Sequence, residues 1–192
     1  MSSQAKKWDA IYADQQCDLL SAAEVVEQNL HLLPSSGVAL DLACGLGANS
    51  IQLAKHGLDV HAWDVSSVAL DKLSLYSQQH DFNIIASERD VENNPPNEDS
   101  YDVVVVSNFL YRPILKNICN SLKHGGLLFY QTFTVEKAAP IGPTNPDYLL
   151  NKNELLKVCS EFEILVYREE GRQGDVAQGW RSQAMIVAKR IR

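Results

Sequence analysis

Residues 38 to 49, Val-Ala-Leu-Asp-Leu-Ala-Cys-Gly-Leu-Gly-Ala-Asn, constrain this chain more than any other stretch. Residues 38 to 42 are aliphatic and β-branched over the length of a buried parallel strand. Gly45 and Gly47 follow, letting the backbone turn sharply and come close to a ligand. A helix then begins, and its first turn leaves N–H groups unpaired at the positive end of the helix dipole. Strand, glycine turn and helix start in that order commit this part of the chain to an α/β architecture with a site for an anionic group.

The remaining elements can be placed around this unit. Residues 6 to 12 set Trp8, Ile11 and Tyr12 on one face of a short helix. Residues 22 to 33 predict a longer one, with Ser21 as N-cap, Glu24 completing a capping box, and an apolar stripe of Ala22, Val25, Val26, Leu30 and Leu33. After the glycine turn, residues 50 to 56 read as helix stopped by Gly57, and residues 58 to 63 as a strand ending at Asp64. Ser66 and Ser67 cap a helix running to about residue 80. Short strand 84 to 86 leads to Asp90-Val91 and a loop through Pro95-Pro96. Residues 101 to 106 contain four consecutive valines and form the clearest strand. A helix from 114 to 122 is expected to end in Lys-His-Gly-Gly, followed by a strand at 127 to 133. Residues 134 to 150 hold Pro140, Pro143 and Pro146 and form a long loop of the kind that carries function. Helix 153 to 162 and strands 163 to 168 and 184 to 189 close the chain, and residues 170 to 183 have the polar, glycine-containing composition of a mobile loop. The alternation predicts one domain: a three-layer α/β sandwich with a mostly parallel sheet, right-handed crossovers and an antiparallel hairpin at its C-terminal edge. Ligands in such sheets sit at the carboxyl ends of the strands.

Composition narrows the partners. With 192 residues, 45% hydrophobic and 21% charged, the chain is an ordinary globular protein without an apolar run long enough to span a membrane. Its first residues carry Lys6 and Lys7 but no apolar run behind them, so a cytoplasmic location is expected. A net charge of −7 argues against nonspecific nucleic-acid or anionic-membrane binding. Cys17, Cys44, Cys119 and Cys159 lack the spacing of a zinc site or disulfide framework, and the five histidines lack a metal motif, so no metal is expected.

The glycine turn admits two nucleotide-type readings. As G-x-G-x-x-G it gives Gly45, Gly47 and Ser50, with Asp64 placed for a ribose in a nicotinamide-dependent oxidoreductase. That reading leaves Asp41 without a purpose. As acid-x-small-x-Gly-x-Gly it gives Asp41-Leu42-Ala43-Cys44-Gly45-Leu46-Gly47. In this form, together with Asp64, Asp90-Val91 and the Tyr-Asp-Val-Val-Val-Val strand ending in Ser107-Asn108, the chain resembles the class I S-adenosylmethionine-dependent methyltransferases. Asp-Leu-x-Cys-Gly-x-Gly-x-Asn-Ser and the leading Trp-Asp-x-x-Tyr are similar to the small-molecule branch that includes tellurite-resistance and thiopurine methyltransferase relatives. The resemblance implies a Rossmann-like fold with a seven-stranded sheet, S-adenosylmethionine as cofactor and S-adenosylhomocysteine as product.

It also implies roles. The Gly45 to Gly47 turn would offer N–H groups to the methionine carboxylate, and Ala43 and Asp41 would receive its ammonium. Ala43 replaces the commoner Gly, at a position not expected to need positive φ. Asp64 would accept the ribose hydroxyls, Val65 would pack on adenine, and Asp90 and Val91 would hold the adenine edge. Trp8 and Tyr12, in the residues 1 to 33 that cover the site, would close the methionine end, and Asn49, Ser107 and Asn108 complete the cofactor set. Each has a plainer alternative: a strand-end acid also suits a turn, and an aromatic pair at helical spacing also suits a core. Methyl transfer from a sulfonium asks mainly for alignment and a dry cavity, and no general base is assigned. Acceptor-side candidates are Asn108, Tyr111 and Arg112, the last as partner of an anionic substrate, then Gln131 with Thr132, and Asn145 in the proline loop. The expected partner is a small-molecule methyl acceptor, bound by a monomer or homodimer. A catalytically idle cofactor-binding domain is the third reading.

Overall fold

The apolar runs become the strands β1 (Val38–Leu42), β2 (Asp59–Asp64), β3 (Ile84–Glu88), β4 (Tyr101–Ser107), β5 (Leu122–Phe133), β6 (Phe162–Arg168) and β7 (Gln183–Arg190) of a computed structural model that describes residues 2 to 17 and 20 to 191. They form one seven-stranded sheet in the order β3-β2-β1-β4-β5-β7-β6. The first five strands pair in parallel, and β7 runs antiparallel to both β5 and β6. The order reverses between β1 and β4, which opens a crevice at their carboxyl ends.

The helices are α1 (Ser3–Tyr12), α2 (Glu24–Glu27), α3 (Ala48–Lys55), α4 (Ser67–Gln79), α5 (Leu115–Asn120) and α6 (Glu154–Val158). Alternation along the strands splits the core between two faces. Leu40, Val104, Leu128, Tyr130 and Ile186 pack with Ile118 and Leu155 on one side, and Val103, Val105, Phe129 and Val187 with Val25, Val26 and Leu53 on the other. No helix joins β3 to β4. Instead the Arg89 guanidinium lies 3.8 Å over the Trp63 ring and donates to the carbonyls of Asn94 and Pro95, closing that part of the face.

Three elements differ from the sequence expectation. The helix over 22 to 33 is only four residues of α2 and then a 3-10 turn at Leu30–Leu32. Its cap is not Ser21: Ala23 N donates to Asn49 Oδ1 and Val25 N to Gln131 Oε1, so tertiary contacts set where it starts. The second is at the Lys-His-Gly-Gly stretch, which belongs to β5 rather than to a helix end. Its pairing with β4 slips there, Gly125 has φ +80, and a Cβ at Gly126 would lie 2.9 Å from the Lys123 carbonyl oxygen. Finally, α6 is shorter than the predicted helix over 153 to 162, because Phe162 already pairs with Arg190 in the sheet.

Candidate functional site

At the carboxyl end of β1, Asp41 is fully buried and accepts from Ser50 N at 2.9 Å, Ser50 Oγ at 2.6 Å and Asn49 Nδ2 at 3.4 Å. It therefore caps α3, whose own N-cap residue, Gly47, has no side chain to do so. Burial pushes the Asp41 carboxyl up to about 6 against those hydrogen bonds, and the Asp64 charge adds to the rise. Asn49 spans the crevice, donating also to Ser107 Oγ on β4 at 2.9 Å.

Asp64 ends β2 beside it and is 6% exposed. Its Oδ2 accepts from Gly45 N at 2.8 Å and its Oδ1 from Ser66 N at 2.9 Å. Burial raises its pKa, and the Asp9 charge contributes. Asp9 reaches across from α1, accepting from Ser66 Oγ at 2.7 Å and Val68 N at 3.3 Å. This docks α1 on α4, and Lys72 holds the other end of α1 by donating to the carbonyls of Tyr12, Ala13 and Gln15. The result brings the Tyr12 hydroxyl onto the glycine turn: a Cβ at Gly45, which has φ +53, would stand 2.6 Å from Tyr12 Oη. Burial, and then the Asp64 charge, raise the Tyr12 pKa, so the phenol stays protonated. Trp8 stacks on Tyr12 with centroids 5.7 Å apart.

Asp9, Asp41 and Asp64 form none of the ion pairs seen among the described residues. Two buried carboxylates and a third nearby, with no cation, suit a positively charged ligand. Asp64 fits a diol as well, since a carboxylate accepts about four hydrogen bonds and two sites are filled from the backbone.

Several sequence-derived assignments change. The N–H groups of Gly45 and Gly47 are already spent, on Asp64 and on the Cys44 carbonyl, so they are not offered to a ligand. Gly47 is needed instead for packing, because a Cβ there would lie 2.5 Å from both Leu73 Cδ atoms. Ala43 does take a positive φ, +57, contrary to expectation: the chain must turn there so that Cys44 N can reach the Trp63 carbonyl at 2.9 Å. Asp90, expected at the adenine edge, is half-buried just past the end of β3. It closes a local turn, accepting from Glu92 N and Asn93 Nδ2. Val91 is buried in the core, and Val65 is half-buried just past the end of β2.

On the acceptor side, Arg112 is not open to an anion. It pairs with Glu154 through both carboxylate oxygens and donates to the carbonyls of Asp147 and Leu149. Asn145 caps the 3-10 turn at Pro146–Tyr148 by accepting from Asp147 N. Tyr111 packs partly into the core, Thr132 is buried, and Gln131 is tied to Val25 and Gln183. Asn108 is exposed at φ +54. Sequence reasoning overlooked Asp9 as a site acid, Ser50 as partner of Asp41, and Gln183. Of these, two carried a signal: Ser50 stands where a dinucleotide motif has its third glycine, and Asp9 is the acid of the Trp-Asp-x-x-Tyr motif.

Acids thus close β1 and β2 around a glycine turn, on a seven-stranded sheet whose order reverses between β1 and β4. A family model described as a methyltransferase domain matches residues 39–126. The chain is 28% identical over 160 residues to the probable S-adenosyl-L-methionine-dependent methyltransferase TehB of Haemophilus influenzae, covering 79% of this chain and 52% of the relative. It is 31% identical over 98 residues, 48% of this chain and 42% of the relative, to a ubiquinone biosynthesis O-methyltransferase of Coxiella burnetii. The chain thus spans about half the length of the curated relatives it matches. Among solved structures, that of TehB from Haemophilus influenzae superposes with a TM-score of 0.71 at 23% identity, covering 95% of this chain and 67% of that one. A putative S-adenosylmethionine-dependent methyltransferase from Listeria monocytogenes gives 0.69 at 18% identity, with 90% and 100% covered. The chain is thus similar to S-adenosylmethionine-dependent methyltransferases over its glycine-turn half, and it shares the fold of TehB.

Proposed function

We propose that this protein transfers a methyl group from S-adenosylmethionine to a small-molecule nucleophile. One observation carries the reading: the buried acids Asp41 and Asp64, with Asp9 beside them, have no cationic partner among the described residues and lie under the Gly45 turn and Tyr12. A sulfonium cofactor with an ammonium and a ribose diol answers both the charge and the unused acceptor capacity of Asp64. The cofactor supplies an electrophilic methyl group on a good leaving group. The chain's own residues bind and align. Asp64 holds the diol, with both of its oxygens oriented by Gly45 N and Ser66 N. Tyr12 and Trp8 close the methionine end and exclude water, and Asp41 keeps α3 and Asn49 in place beneath it. In-line displacement needs nothing further from the protein when the acceptor is already a nucleophile. The dinucleotide alternative loses support because Ser50 is committed to Asp41.

The test is incubation with methyl-labelled S-adenosylmethionine and a panel of thiols, phenols, amines and carboxylates. Label in a small-molecule product, with release of S-adenosylhomocysteine, is expected. Cofactor binding without transfer to any acceptor class would leave an idle binding domain as the better reading.

A further inference from the structure

Three hydrogen bonds run in one line across the carboxyl ends of β5 and β4 and the start of β7. Val25 N donates to Gln131 Oε1 at 2.7 Å, Gln131 Nε2 to Gln183 Oε1 at 2.8 Å, and Gln183 Nε2 to Asn108 Oδ1 at 3.1 Å. The first member fixes the direction of all the others. A backbone N–H can only donate, so the oxygen of Gln131 must face Val25 and its nitrogen must face Gln183. Gln183 is oriented by the same logic, and so is Asn108. The amide orientations, which otherwise have to be assigned, follow here from one peptide group.

Asn108 is left as the open end of the relay. Its Oδ1 is taken, its Nδ2 has no hydrogen bond among the described residues, and the residue is exposed. Its backbone is held as firmly as its side chain: Asn108 N donates to the Gln131 carbonyl at 2.9 Å, and its φ of +54 is a strained value for a residue with a side chain. It directly follows Ser107, whose hydroxyl is bound to Asn49 and through it to Asp41. The open amide therefore borders the candidate cofactor site, while nearby Arg112 is consumed by Glu154 and two carbonyls.

We propose that Gln131 and Gln183 are positioning residues that orient the Asn108 carboxamide with its N–H donors outward, and that the methyl acceptor is a molecule presenting an oxygen lone pair to those donors, of the phenol or carboxylate kind. This rests on the methyltransferase reading. An ammonium or other donor-only acceptor would meet N–H groups with nothing to accept from it.

Gln131→Glu tests the relay with little change of shape. The ionised side chain still accepts from Val25 N, but its second oxygen can no longer donate. Gln183 then has to turn its nitrogen toward residue 131 and its oxygen toward Asn108, and Asn108 has to turn Nδ2 inward. Side-chain amide NMR on 15N-labelled protein in mildly alkaline buffer reads this directly. In the unaltered protein the Gln131 and Gln183 amide protons exchange slowly with water and those of Asn108 quickly. In Gln131→Glu an Asn108 amide proton becomes slow and shifts downfield. Gln183→Leu, which cuts the relay without adding charge, leaves the Asn108 amide fast and raises the acceptor KM. With catechol and 4-hydroxybenzoate as probes, acceptor KM rises about tenfold or more in Gln131→Glu while S-adenosylhomocysteine affinity stays within about twofold. An Asn108 amide protected from the start, or unmoved by Gln131→Glu in a variant whose backbone amide spectrum remains that of the folded protein, overturns the relay. Transfer to benzylamine in preference to both oxygen probes, or transfer to neither of them, overturns the acceptor assignment. Absence of S-adenosylhomocysteine binding in the unaltered protein would instead defeat the methyltransferase reading, and the NMR result would still decide the relay.

Discussion

Asp41 and Asp64 end neighbouring strands, yet they do different work. Asp64 keeps acceptor capacity for a ligand, so Asp64→Ala is expected to weaken S-adenosylhomocysteine binding by about 10- to 150-fold, the loss of roughly 1.5 to 3 kcal/mol of charge-assisted hydrogen bonding. Titration calorimetry on the folded variant checks this, and unchanged affinity would remove Asp64 from the site. Asp41 is a cap held under strain. Its pKa is about 6 in the folded chain against an ordinary value of 3.8, so between those two values the folded chain keeps a proton that the unfolded chain has lost. Stability therefore falls as pH rises across that window, by roughly 3 kcal/mol from this group. Asp41→Asn removes the titration, so the melting temperature of the variant relative to the unaltered protein should improve from pH about 4 to about 7. A constant difference would mean that Asp41 does not titrate in this way. Both acids were legible in the sequence because strand ends and glycines mark them. The part Asp9 plays was less so: it stands in the Trp-Asp-x-x-Tyr motif, but it reaches Ser66 only through the docking of α1 on α4.

At the scale of elements, several irregular stretches are each wound round one cation. Lys72 takes the carbonyls at the end of α1, Lys137 those of Ile141 and Pro143, and Arg112 those of Asp147 and Leu149. Arg181 takes five, from Glu170, Gly171, Gln173, Asp175 and Gln178. A loop has no ladder in which to pair its carbonyls, and a guanidinium carries five donors in a fixed fork. Arg181→Met should therefore release the loop between β6 and β7, and amide exchange over residues 170 to 180 should speed up well beyond that of β7. The expected cost is about 1 to 3 kcal/mol. Equal exchange in variant and parent would show that Arg181 does not hold the loop. The sequence marked these stretches as loops through proline, glycine and polarity. It could not show which backbone carbonyls each cation would meet, which is why Arg112 was read as a substrate contact and residues 170 to 183 as a loose segment.

For the whole molecule, the alternation of strand and helix sufficed to predict a mostly parallel sheet with an antiparallel hairpin. The place of β7 inside the sheet and β6 at its edge has a physical cause that the sequence does carry. Ala184 to Ala188 are buried on both faces and need a neighbour on each side, whereas Glu163, Ile164 and Leu165 are exposed and suit an edge. This frame brings the acid-lined crevice to the point where strand order reverses, and the central claim is that the crevice binds a cationic, diol-bearing cofactor. Isothermal titration calorimetry with S-adenosylmethionine, S-adenosylhomocysteine and NAD measures that claim most directly. Micromolar binding of the first two and none of NAD is predicted, with a thermal stabilisation of about 4 kcal/mol at a thousandfold excess over Kd. Binding of NAD with no response to either S-adenosyl compound would contradict it.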